Sequence, residues 1–267
     1  MRTFLAVLVI SAAVGAQAAP PPNSLTAQEA REGWVLLFDG KTMDHWVDPR
    51  KKDPPGDAWT IEDGCLKANG RARIVEDLFS EDAYRDFELQ ADWRISKAGN
   101  SGIKYRIQDH LWVPHTPGLK FELEVERAFE NRTSERPAHG QDYVVGFEYQ
   151  IADDSANHDA LSNAKHSTGA LYDMVAPSSA ASKPVGEFNH SRIVVRGNHV
   201  EHWLNGVKVV DSTLDGAREL KGIQTRWSVA PQVLKLLTEQ PKKDCQFSLQ
   251  NHNSDAWFQN IKIRKLQ

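Results

Sequence analysis

Residues Asp86–Ile95 alternate without a break: Phe87, Leu89, Ala91, Trp93 and Ile95 against Glu88, Gln90, Asp92 and Arg94. A period of two puts each set on one face of a strand, so this segment must bury one side and wet the other. Ser101–Gln108 repeats the pattern with Ile103, Tyr105 and Ile107 on one face. Further strand signals follow at Phe121–Val125, Val144–Ile151, Ala170–Met174, Ser191–Arg196, His199–Leu204, Val207–Asp211, Gln246–Gln250 and Ala256–Ile263. Turn pairs punctuate them. Asp63-Gly64 joins Trp59–Ile61 to Cys65–Lys67, while Gly197-Asn198 and Asn205-Gly206 tie three strands into a meander. Many short strands with little helical periodicity predict an all-β sandwich or barrel.

Departures from that rhythm are local. Thr26–Gly33 reads as a short helix, with Thr26 as N-cap and Glu29 completing a capping box. The most helix-like later segment is Val229–Thr238, inside the irregular stretch Thr213–Lys243. His110–Gly118 and Arg127–Asp142 also break the strand pattern, as binding or lid loops do.

The first residues follow a different logic. A basic Arg2, the apolar Phe4–Val14 and Ala16-Gln17-Ala18 have the layout of a secretory signal, too short to span a bilayer. The expected division is a signal peptide over 1–18, a Pro-rich lead-in with a short helix over 19–32, and a single domain over 33–267. The mature chain should begin at Ala19 or Pro20, in the periplasm or outside the cell. Intact-mass measurement on protein from an exporting host checks this, and retention of Met1 would disprove it. No cysteine adjoins the cleavage site to carry a lipid, so no membrane anchor is expected. Cys65 and Cys245 could pair in an oxidising compartment or serve as two separate buried thiols. A net charge of −4 with no basic run argues against nucleic acid as a partner.

Two acidic constellations could carry chemistry. As a strand, Phe121–Glu126 would line up Glu122, Glu124 and Glu126 about 7 Å apart. Glycoside hydrolysis uses carboxyl pairs about 5–5.5 Å or 6.5–9.5 Å apart. The array resembles the E-x-D-x-E motif of laminarinase-like glucanases, with Glu in the middle place. In the second, Glu148 and Gln150 share a strand face, and Asp153, Asp154 and His158 follow. That set could bind sugar hydroxyls, act as a base, or hold a hard divalent cation such as Ca²⁺ through oxygen. No H-E-x-x-H or i, i+4 His pair suggests zinc. The eight Trp suit sugar stacking and core packing equally.

GWVLLFDG at 33–40, NSGIKYR at 100–106, FEYQIADD at 147–154, TGALYDMVAP at 168–177, PVGEFN at 184–189, 197–206 and LQNHNSDAWFQNIKIRKL at 249–266 resemble the 3-keto-disaccharide hydrolase domain family. The resemblance implies a concanavalin A-like jelly roll of two antiparallel sheets with long loop insertions. It also implies an exported enzyme acting on glycosides oxidised to a ketone at C3. The ketone acidifies the C2 proton, so a modest base can drive elimination of the aglycone from C1, and water then adds to the enone. Such a route needs a base, a proton donor and an enolate stabiliser.

Carried over by position, the resemblance makes Glu148 the base or a metal or sugar anchor. His202 or His252 becomes the acid–base partner, and Arg106 an anion or enolate stabiliser. Asn100, Ser101, Gln150, Asn205 and Gln250 become substrate contacts. Three features depart from the family pattern. His110–Asp142 is a longer join than usual, Gln259 stands where Arg is commoner, and Asn251-His252-Asn253 replaces Asp-His-Gly. A non-catalytic carbohydrate-binding module and a β-glucanase using Glu122, Glu124 and Glu126 are the alternatives on this fold.

Overall fold

In the computed structural model, which describes residues 20–48, 56–133 and 139–267, two antiparallel sheets face each other across a shared core. The proposed signal at 1–18 lies outside the described residues. A capping box opens α1 (Ala27–Arg31): Glu29 N donates to Thr26 Oγ1, and Thr26 N donates to Glu29 Oε2.

The strands in chain order are β1 (Val35–Leu36), β2 (Trp46–Val47), β3 (Trp59–Glu62), β4 (Cys65–Ala68), β5 (Leu78–Ser80), β6 (Phe87–Ile95) and β7 (Asn100–Pro114). Then come β8 (Gly140–Ala152), β9 (Asn189–Arg196), β10 (His199–Leu204), β11 (Val207–Thr213), β12 (Ser248–Leu249) and β13 (Ala256–Lys265). The larger sheet runs β11-β10-β9-β6-β13-β4-β3, with β1 on β13; the smaller runs β2-β5-β12-β7-β8. The alternation in Asp86–Ile95 is realised in β6, whose Phe87, Leu89, Ala91, Trp93 and Ile95 are all buried. Positive φ at Asp63 and Gly64, and at Asn205 and Gly206, makes the tight two-residue hairpin turns between β3 and β4 and between β10 and β11.

Two predicted strands fold otherwise. Phe121–Val125 is the start of helix α2 (Phe121–Glu130). Its alternation lasts only to Glu126. Over the longer segment Phe121, Val125, Ala128 and Phe129 recur at helical spacing, and Val125 and Ala128 are buried. Ala170–Met174 is a chain of turns that touches β8 only through an isolated bridge at Leu171. The helical reading near 229–238 is realised as α5 (Pro231–Thr238), with Pro at its first turn, and is preceded by α4 (Ala217–Arg226). A short α3 (His158–Ser162) precedes α4 in the chain. None of these helices is long and apolar enough to cross a membrane.

Cys65 and Cys245 are two separate buried thiols, not a disulfide. Cys65 lies on β4 of the larger sheet, while Cys245 pairs with Tyr84 and donates from Sγ to Lys242 O. Burial pushes both thiols up from their ordinary range, which keeps them protonated and unreactive.

Candidate functional site

The smaller sheet carries a cleft of about 670 Å³ on its outward face. Strand parity builds it. On β7, Ser101, Ile103 and Tyr105 are in the interior, while Asn100 and Lys104 line the cleft. On β8, Phe147, Tyr149 and Ile151 are core residues, while Glu148 and Gln150 line the cleft. The register sets Lys104 directly across from Glu148 and Gly102 across from Gln150. A Cβ at Gly102 would lie 2.4 Å from Glu148 Oε1, so the carboxyl occupies the space that this glycine leaves.

Charge is concentrated on this floor. Lys104 Nζ is 3.4 Å from Asp77 Oδ2, and both side chains are almost fully buried. Burial favours the neutral form of Glu148; Lys104 and Arg226 oppose it, and the carboxyl is left at about 7, against 4.5 ordinarily. Burial raises Asp77 too, against the pull of Lys104. Burial works to discharge Lys104, but Asp77 and Glu148 outweigh it and the ammonium holds its proton more strongly. Ser248 Oγ donates to Asp77 Oδ2 at 3.1 Å, and Asn251 N to Oδ1 at 3.3 Å. With its amide nitrogen toward Glu148, Gln250 donates to Oε1 at 3.2 Å and accepts from Lys104 Nζ at 3.2 Å.

The walls add recognition groups. Both amide atoms of Gln150 and Oδ1 of Asn100 are buried with no protein partner. Such groups are rare unless something else satisfies them, and here they line a cleft. Tyr172 and Arg226 form the β8 side; Tyr172 N donates to Glu148 O at 3.0 Å and its hydroxyl donates to Asp159 Oδ2 at 2.9 Å. The Arg226 guanidinium lies 4.9 Å from the Tyr172 ring centre. His252 stands exposed at the cleft, yet the surrounding protein and the Lys104 charge push its imidazole down.

Four expected site residues lie elsewhere. His202 is fully buried between the sheets. Its Nδ1–H donates to Gly169 O at 2.9 Å, which leaves Nε2 to accept from the Tyr105 hydroxyl at 2.8 Å. Burial brings it down to about 4, so it is a neutral core histidine. Arg106 shares parity with Lys104, but the β7–β8 register breaks just after Tyr105, and Arg106 itself has φ +53°. That left-handed backbone turns its guanidinium away, onto the Gly197 and Lys243 carbonyls. Ser101 Oγ donates to Gln250 O at 2.7 Å, inside the sheet. Asn205 braces the β10–β11 turn, donating to Ala181 O and Asn189 Oδ1.

Neither carboxylate array survives as a unit. On α2, Glu124 Oε1 accepts from Thr116 N at 2.6 Å and Glu126 Oε2 accepts from Gln232 N at 3.1 Å in the first turn of α5. Both therefore serve as structural acceptors. Asp153 accepts from the Ala98 and Ser155 backbone, and Asp154 from Thr168 and Ser182. These two do not join Glu148 in a cation site. Among the described residues, the group close enough to share a cation is His199, Glu201 and Asp211 on the other sheet, where Lys208 already pairs with both carboxylates.

Glu148, Gln150, Asn100, Gln250 and His252 thus line one cleft. Sequence reasoning missed Lys104, Asp77, Tyr143, Tyr172 and Arg226. Lys104 was within reach, because it alternates with Ile103 and Tyr105 and therefore shares the face of Asn100.

Residues 33–264 match the model of the 3-keto-alpha-glucoside-1,2-lyase-like domain family. A protein of Bacteroides thetaiotaomicron named 3-keto-disaccharide hydrolase is 29% identical over 263 residues, covering 91% of this chain and 82% of that one. A crystal structure from Parabacteroides distasonis, assigned as a glycosyl hydrolase, superposes with a TM-score of 0.69 at 27% identity, over 92% of this chain and 100% of that one. A second from the same organism, with the same assignment, gives 0.58 at 25% identity, over 87% and 99%.

Proposed function

This chain belongs to the 3-keto-alpha-glucoside-1,2-lyase-like domain family, and we propose that it is an exported glycosidase-type enzyme cleaving glycosides that carry a ketone at C3. Glu148 removes the C2 proton, and the C2–H electron pair moves into an enolate whose C3 oxygen faces the Lys104 ammonium. Collapse of the enolate forms the C1=C2 bond and expels the aglycone oxygen, which takes a proton from water. Water then adds at C1 of the enone and C2 regains a proton, so the net result is hydrolysis.

The observation that carries this reading is the cross-strand pair of Glu148 and Lys104 on the cleft floor. A carboxyl at about 7 is strong enough to take a proton α to a ketone and is still about half ionised at neutral pH. A fixed cation beside it offsets charge that develops on the enolate oxygen. The oxocarbenium route instead requires two carboxyl groups flanking the bond. The other carboxylates lining the cleft are engaged, Asp77 by Lys104 and Asp142 by His110.

The test is product analysis with a 3-keto-glucoside beside its unoxidised parent. The keto compound should be cleaved and the parent left intact, since only the ketone makes the C2 proton labile. Comparable cleavage of both would remove the keto-sugar reading. Binding of both without turnover would make the protein a carbohydrate-binding module.

A further inference from the structure

The bridge between Tyr149 on β8 and Leu171 is closed by two backbone bonds, Tyr172 N to Glu148 O at 3.0 Å and Gln150 N to Ala170 O at 3.1 Å. Tyr172 is therefore the residue beside Glu148 on the outer edge of β8, as Lys104 is beside it on β7. All three line the cleft. Lys104, Glu148 and Tyr172 thus form a row across the sheet, with neighbouring backbones about 4.8 Å apart.

The ring of Tyr172 is held from both sides. His166 stacks on it at 4.5 Å between centres, 17° from parallel, and the Arg226 guanidinium lies 4.9 Å from its centre. Two groups this close need the two faces, so the ring meets the cleft with its edge. Glu148 acts electrostatically on the hydroxyl. Burial holds this phenol above its ordinary range against the pull of Arg226, so it carries its proton at neutral pH. That proton is given to Asp159 Oδ2, but Asp159 has a second partner in His166 Nδ1, 2.7 Å from Oδ1. Turning about the phenol C–O bond therefore redirects the proton without stranding the carboxylate.

Resting on the reading of Glu148 and Lys104 as the reacting centre, we propose that Tyr172 is the proton donor to the leaving aglycone oxygen. The order of the row matches the order of the atoms. C2 lies between C3 and C1, so a sugar with C2 over Glu148 and its C3 oxygen toward Lys104 turns its C1 oxygen toward Tyr172. As the C1–O bond breaks, its electron pair stays on the aglycone oxygen, which takes the hydroxyl proton. Arg226 offsets the charge of the phenolate left behind. The phenolate then takes a proton from the water that adds at C1. The proton on the alcohol product thus comes from water by way of Tyr172, and the residue is restored.

Tyr172→Phe tests this, read by single-turnover release of methanol from methyl 3-keto-α-glucoside and of nitrophenol from the para-nitrophenyl counterpart. Methoxide is strongly basic and needs the donor, whereas nitrophenolate leaves unaided. Loss of the hydroxyl should slow methanol release by on the order of 10²–10⁴ and nitrophenol release by less than about tenfold. Exchange of the C2 proton with heavy water, which reports the base step alone, should continue at the wild-type rate and so show that the variant is folded. Equal slowing of both substrates, no slowing of either, or loss of C2 exchange along with cleavage would make Tyr172 structural and overturn the assignment. Wild-type protein that neither exchanges C2 nor cleaves either ketone would overturn the keto-sugar reading, and this assignment with it.

Discussion

Glu148→Gln is expected to lower turnover of a 3-keto-glycoside by on the order of 10²–10⁴, the usual loss when an acid–base group is removed. The change keeps the shape that fits against Gly102 and removes only the ability to take a proton. In the wild-type enzyme kcat/KM should rise with pH and level off above about 7, because Glu148 acts in its ionised form. Below that point the rate should fall about tenfold per pH unit as the base is protonated.

Stability should move the other way. The folded carboxyl binds its proton more strongly than the unfolded one, with about 7 against 4.5. Wild-type stability therefore falls as pH rises from about 4.5 to about 7, and the full penalty applies above that. The glutamine variant escapes it and should be more stable than wild type at pH 8, by on the order of 1–3 kcal/mol. At pH 4.5 the two should melt together. A Glu148→Gln protein with normal turnover would place the base elsewhere. Glu124→Gln serves as the control: Glu124 accepts from Thr116 N, outside the cleft lining, so the change should leave catalysis unaltered.

Lys104→Met should have the next largest effect, and on two quantities at once. Loss of a fixed charge aimed at a developing oxyanion costs about 10²–10³ in kcat. Lys104 is also the strongest influence holding Glu148 down, so without it the rising limb of the pH profile should move to higher pH. The fold suffers as well, because Asp77 loses its buried counter-charge. Breaking such a pair costs about 3–5 kcal/mol where the survivor stays ionised, and Asp77, already raised by burial, can escape by taking a proton. The deficit should therefore be largest at high pH. Adding Asp77→Asn should restore the melting temperature but not the activity. Full activity with an unshifted profile in Lys104→Met would remove this lysine from the chemistry.

The residues that were readable in advance share a property. Glu148, Gln150 and Asn100 lie on regular strand, where parity decides the face, and their neighbours Phe147, Tyr149 and Ile103 fill the core. Arg106 was misread for the opposite reason, since it sits where the pairing slips and its backbone turns left-handed. His202 was misread because it occupies an inward position. There a single polar side chain is satisfied by Tyr105 and Gly169, from segments distant in the chain. The FELEVE run was misread because six residues of alternation fit a strand, while the helix becomes visible only over the whole of Phe121–Glu130.

Local order along the chain was enough to establish the all-β class, the hairpin turns and the inward and outward faces of the long strands, with sandwich and barrel both open until the family resemblance was added. Those depend on period and on turn chemistry, which neighbouring residues carry between them. The acid–base centre depends on something else. Asp77, Lys104, Glu148, Arg226 and Gln250 come from separate segments and share one cleft only after the smaller sheet is assembled. The shift of Glu148 to about 7 arises from burial and from charges remote in sequence, so it exists only in the folded molecule.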